Sequence, residues 1–130
     1  MPDLLAEQTA RSLIDAERAR QRSRWSAEHD AEHGPERLNR AARCYETGNP
    51  RAFPGWPFGS NSWNPMDPMR NLVRAGALYQ AAADACPRRL AYIIQLQRAV
   101  DGRQRCEVAI DRMLAALTAD EPAPPEALDG

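Results

Sequence analysis

Residues 53–68, Phe53-Pro-Gly-Trp-Pro-Phe-Gly-Ser-Asn-Ser-Trp-Asn-Pro-Met-Asp-Pro, constrain the fold of this chain more than any other stretch. They hold four of the eleven prolines, two of the three tryptophans and both phenylalanines. Prolines at this density remove backbone donors and bar a continuous helix or a central strand. Disorder fits poorly, because disordered segments are short of aromatics. A long loop inside a compact domain is usually functional when it is ordered. The stretch therefore predicts an ordered aromatic loop laid across whatever its flanks build.

The flanks read as helices. Residues 3–23 place Leu5, Thr9, Leu13, Ala16 and Arg20 on one face, with Asp3 near the start. Within them, the stretch from Glu17 to Arg24 is charged nearly all round. It is either a solvated helix end or the source of Glu17, Gln21 and an arginine for a polar pocket. Residues 24–34 read as a short connection with Ser26 as an N-cap, closed by Gly34-Pro35. Pro35 opens a helix over 35–47, with Leu38, Ala41, Ala42 and Tyr45 on its apolar face and Gly48 and Pro50 as stops. After the loop, Asp67-Pro68 is an acidic cap followed by proline at the first helical position, so a helix is expected over 68–85. Cys86-Pro87 ends it. Residues 88–100 and 103–118 read as two more helices, parted by a kink or turn at Asp101-Gly102. The last carries Cys106, Ile110, Met113, Leu114 and Leu117 on one stripe, which needs a partner in cis or from a second chain. This predicts a homo-oligomer with that stripe as a seam.

The expectation is an all-α single domain of four to five helices over 1–118, with the aromatic loop between helices 2 and 3. Residues 119–130, with three prolines and four acids, are expected to form a flexible acidic tail. At 130 residues the chain is long enough to bury one core. No apolar run reaches the roughly 20 residues needed to span a bilayer, and Met1-Pro-Asp-Leu-Leu has no signal-peptide character. No membrane association and a cytoplasmic location in a bacterial cell are expected. Cys44, Cys86 and Cys106 are odd in number and far apart, so they are expected to be free thiols. A net charge of −1 argues against general nucleic-acid binding. All 17 basic residues are arginine, which suits bidentate phosphate recognition but is also what a GC-rich genome produces.

Few constellations carry chemistry. His29-Asp-Ala-Glu-His33 has the H-x-x-E-H form of inverted zinc peptidases, but Gly34-Pro35 follows at once and no third ligand can be named. Carboxylate pairs for a magnesium-dependent pyrophosphatase are interrupted. There is neither a phosphate-cradling glycine loop nor a nucleophile elbow. Neither a metal nor another cofactor is expected, and no catalytic residue is assigned. Trp56, Phe58 and Trp63 are suited to stack a base, with Arg70 and Arg74 one turn apart for phosphate. The alternative is that both tryptophans merely lid a small core.

The order Glu17-x-x-x-Gln21, Trp25-Ser-x-Glu28-His29-Asp30, Leu38-x-x-Ala41-Ala42-x-Cys44-Tyr45, Trp56-Pro57, Trp63-x-Pro65-x-Asp67 and Leu72-Val73-x-Ala75-Gly76-Ala77-Leu78 resembles a group of small proteins common in bacteriophages and prophages. The resemblance covers about residues 14–80. Ala31 stands where a second aspartate is usual, and Phe58 where a second tryptophan is usual. A looser similarity runs to the ryanodine-receptor-type repeat domain, and it implies nucleotide binding. The expected ligand site gathers Glu17, Gln21, Trp25, Glu28, His29, Asp30, Trp56, Trp63 and Arg70 around a small nucleotide-like ligand. The leading reading is non-catalytic binding, with sequestration of a host signalling nucleotide by a phage or prophage accessory protein as its setting. The alternatives are a metal-dependent nucleotide hydrolase using Glu28, His29, Asp30 and His33, and a homo-oligomeric interaction module.

Overall fold

Thr9 opens the ordered body by capping a helix. Its hydroxyl accepts from the Ser12 amide at 3.1 Å, and the Ser12 hydroxyl accepts from the Thr9 amide at 3.0 Å. This is a capping box with serine in the acidic position. The computed structural model describes residues 8–24 and 27–119, except the side chains of residues 27–29 and 31. The helix start expected at Asp3 lies outside the described residues.

Four α-helices follow among the described residues: α1 (Ala10–Arg24), α2 (Ala27–Thr47), α3 (Pro68–Ala85) and α4 (Ile93–Ala119). Single turns of 3₁₀-helix lie at Ser60–Ser62 and Leu90–Tyr92. The chain is an all-α single domain, as its periodicities predict. None of the described helices is long and apolar enough to cross a membrane.

Three boundaries differ from the sequence reading, the first being that the helix expected from residue 88 begins as α4 only at Ile93, behind the 3₁₀ turn at Leu90–Tyr92. The connection expected over 24–34 is helical from Ala27, and α2 is broken only at Gly34, whose φ of 80° interrupts the helical backbone before Pro35 restarts it. The break expected at Asp101-Gly102 does not exist, because α4 runs through it. Gly102 serves close packing instead. A Cβ there would fall 2.4 Å from the Tyr79 ring of α3. The end of α2 is a Schellman motif: Gly48 (φ 69°) donates to the Tyr45 carbonyl at 3.2 Å and Asn49 to the Cys44 carbonyl at 3.0 Å. At α3, Asp67 accepts from the Arg70 amide and Pro68 occupies the first turn, as predicted.

Helix α3 is central and packs against the other three. Its face of Ala75, Gly76, Ala77, Ala81 and Ala82 is small, so neighbours approach closely. A Cβ on Gly76 would meet the Ile14 side chain of α1 at 2.5 Å. The main core joins Ile14, Ala42, Tyr45, Tyr79, Cys106, Ile110 and Leu114. The stripe of α4 is thus covered in cis: Cys106, Ile110 and Leu114 are buried against α1 and α3, and Leu117 is exposed. The three cysteines are free, with Cys44 and Cys106 buried and Cys86 half-buried. Burial pushes the Cys106 thiol up to about 12.

Candidate functional site

Helices α1 and α2 both lie on α3 but pack little on each other. The gap between them is a cleft of about 500 Å³, floored by α2 and α3 and closed by the aromatic loop. Its floor is Leu38, Ala41, Leu78 and Ala81. Alanine at 41 and 81 leaves the space that larger side chains would fill.

The α1 side supplies Arg20, Gln21 and Arg24. Gln21 is buried, and its amide donates to Glu17 at 3.5 Å. Glu17 also grips the Arg20 guanidinium, with a shortest contact of 2.7 Å. Glu17 therefore stands behind the cleft and orients two groups that line it. Across the gap, α2 supplies Asp30, His33 and Tyr45. Asp30 is 8% exposed and is held by Arg18 at 3.2 Å. Arg18 is itself buried and also pairs with Asp84 of α3 at 3.2 Å. One guanidinium thus ties α1, α2 and α3 at the base of the cleft. An isolated buried charge here would be costly, and the two carboxylates balance it.

The wall is aromatic. Trp56 lies edge-on to Tyr45 at 5.5 Å and to Phe58 at 5.5 Å, and Phe58 meets His33 at 4.7 Å. The Trp56 indole N–H donates to the Gly59 carbonyl at 3.2 Å and to the Ser62 hydroxyl at 3.0 Å. The loop thereby fixes its own principal ring. Trp63 packs behind, 4.7 Å from Tyr45 and 5.0 Å from Trp56. Arg74 of α3 reaches the wall: its guanidinium lies 5.2 Å from the Tyr45 ring centroid and donates to the Tyr45 hydroxyl at 3.2 Å. It forms no salt bridge with any described residue.

No protein-family model, curated protein or solved structure matches the chain. Neither resemblance drawn from the sequence has a counterpart there.

Of the predicted site residues, Gln21, Asp30 and Trp56 line one cleft, and Glu17 supports it. Trp63 and Arg70 do not line it. Trp63 backs the wall, because Tyr45 and Trp56 cover its ring. Arg70 projects from the first turn of α3, 73% exposed, and is tied to Asp67 at 3.4 Å. Arg74, one turn further, takes the place expected for it. Trp25 and the side chains of Glu28 and His29 lie outside the described residues. Among the described residues no three His, Cys, Asp or Glu side chains are grouped to hold a metal ion. Asp30, wanted as a metal ligand by a hydrolase, is engaged by Arg18.

The sequence reading also missed Tyr45 and Arg18 as parts of the site. Tyr45 shares the helical face of Leu38 and Ala41, so its spacing signals core. Its hydroxyl reaches the wall only because the loop returns over it. Arg18 sits in a charged run and carries no local sign of burial.

Proposed function

We propose that this chain is a non-catalytic binding protein that holds a small nucleotide-like ligand in the aromatic cleft. The observation that carries this is the convergence on one cleft of a fixed aromatic wall, a buried amide and arginines. The wall is Trp56, Phe58 and His33, the amide is Gln21, and Arg74 is an arginine at the wall that forms no salt bridge with any described residue. The volume is in the range of small-molecule sites. Stacking on such a wall is worth about 1–3 kcal/mol per base. Gln21 offers donor and acceptor groups to a base edge, and Arg74 offers a fork to phosphate. The wall is held before any ligand arrives, which lowers the ordering cost of binding. The setting that fits the phage-like sequence pattern is an accessory protein that sequesters a host signalling nucleotide, and that setting rests on analogy.

The test is fluorescence and thermal-shift titration with nucleosides, nucleoside mono- and diphosphates and cyclic dinucleotides. Nucleotides are expected to quench tryptophan emission and to raise the melting temperature. Trp56→Ala should abolish binding. Arg74→Gln should weaken phosphorylated ligands about tenfold or more while leaving nucleosides nearly unchanged. Absence of any response at millimolar ligand would sink the reading. Appearance of a hydrolysed product would remove its non-catalytic part.

A further inference from the structure

The opposite face of α2 borders a second cleft, of about 410 Å³, between α2, α4 and the start of the loop. Arg40 and Arg43 enter it from α2, and Arg98 and Arg105 from α4. Their spacings, three and seven residues, keep each pair on one helical face. Arg105 is spent: it binds Glu46 at 2.8 Å. Arg40, Arg43 and Arg98 form no salt bridge with any described residue. Two carboxylates also line the cleft, Glu36 and Asp101, and Asp101 accepts from Gln97 at 2.9 Å.

Two buried groups lining this cleft lack partners. Asn39, 7% exposed, donates its amide to the Gln95 carbonyl at 3.0 Å and to the Gln95 side chain at 2.9 Å, which leaves its Oδ1 without a donor. The Arg40 Nε is buried without an acceptor. Both atoms lie beneath the cleft surface and mark polar side chains whose hydrogen-bonding capacity the protein itself does not fill. A phosphate or a phosphomonoester carries oxygens that accept from the guanidinium groups of Arg40, Arg43 and Arg98, which line the cleft. Arginine forks suit it geometrically. Phe53, 87% exposed beside the cleft, presents an open ring face to the organic part of such a molecule. The concave shape favours a small molecule over an extended strand.

We infer that this arginine-lined cleft is a second binding site, for a small phosphorylated molecule whose phosphate sits among Arg40, Arg43 and Arg98. The site shares no lining residue with the aromatic cleft and does not depend on that assignment.

Inorganic pyrophosphate, which has no ring to stack, is the probe. Calorimetric and thermal-shift titrations at constant ionic strength are expected to show saturable binding of pyrophosphate to the full chain. The double variant Arg43→Gln, Arg98→Gln should weaken it by about tenfold or more, while Arg70→Gln, outside both clefts, leaves it unchanged. Both replaced side chains are exposed and lack hydrogen-bond partners, so circular dichroism should report the native helix content. Arg98→Gln alone serves if the pair proves unstable. No saturable binding at millimolar pyrophosphate, or binding that survives the substitutions, overturns the inference. So does a single-stranded oligonucleotide that binds more tightly than pyrophosphate and loses its affinity in the same variant, since the cleft would then track a nucleic-acid backbone.

Discussion

Glu46 joins three helices through its carboxylate. It accepts from the Tyr79 hydroxyl of α3 at 2.5 Å and from Arg105 of α4 at 2.8 Å. Burial works to raise its pKa, but the hydrogen bonds from Arg105 and Tyr79 outweigh it and hold the group below its ordinary value of 4.5. A depressed carboxylate contributes stability that is complete above the unfolded pKa and is lost as pH falls through the folded one. The melting temperature should therefore decline as pH drops below about 4.5, and Glu46→Gln should flatten that part of the curve. A variant with an unchanged acid limb would show that other carboxylates dominate. Gly102 gives a second prediction at this scale. Alanine there gains about 1 kcal/mol of helix propensity but meets the rigid Tyr79 ring, and such overpacking costs about 1–3 kcal/mol. Gly102→Ala should thus be destabilising on balance, seen as a lower urea midpoint, although Gly→Ala in an open helix stabilises. The same residue explains a misreading. Glycine in a helical pattern signals either a break or room for a neighbour, and the neighbour here belongs to another helix.

Among the elements, those specified by local chemistry were legible. Asp67-Pro68 starts α3, and Gly48 ends α2, because a cap is built from residues adjacent in sequence. The aromatic loop was legible as an ordered element for a similar reason: its own residues, Trp56 with Gly59 and Ser62, supply much of its order. What could not be read was which ring faces the cleft. Trp56 and Trp63 are equivalent in composition, and only the return of the loop over Tyr45 puts one in front and the other behind. Arg18 was hidden in the same way, since Asp30 and Asp84 reach it from two other helices. The two tryptophans should accordingly separate in experiment. Trp63→Ala removes the backing of the wall and should cost about 3 kcal/mol, near the lower end for truncating a packed aromatic. Trp63→Phe should recover most of that stability and retain ligand binding. Equal loss of binding in Trp63→Phe and Trp56→Ala would mean that both rings contact ligand directly.

At the scale of the molecule, α1 is the outlying helix. It packs on α3 and α4 but touches α2 mainly through charge. Its attachments are identifiable. Ile14 enters the core beside Gly76, the Ala10 amide donates to Asp111 of α4 at 2.9 Å, and Asp15 pairs with Arg103 at 2.9 Å. Arg18 closes the other end against Asp30 and Asp84. Alanines and glycine make up much of the α3 surface beneath it, so each turn of contact buries little apolar area. Helix α1 should therefore open sub-globally before α3 does, as regions with few buried apolar contacts do. A ligand held between Gln21 on one side and Trp56 and His33 on the other would add a bridge from α1 to α2 and the loop, beside the Arg18–Asp30 pair. Binding at the aromatic cleft should consequently slow amide exchange across Ala10–Arg24 about as much as across the buried centre of α4, because opening α1 and unfolding the whole domain both release the ligand. Hydrogen exchange followed by mass spectrometry, with and without saturating nucleotide, reads this directly. Slowing in α4 with none across Ala10–Arg24 would show that α1 opens without releasing the ligand. Slowing confined to α2 and α4 would put the ligand in the arginine cleft instead.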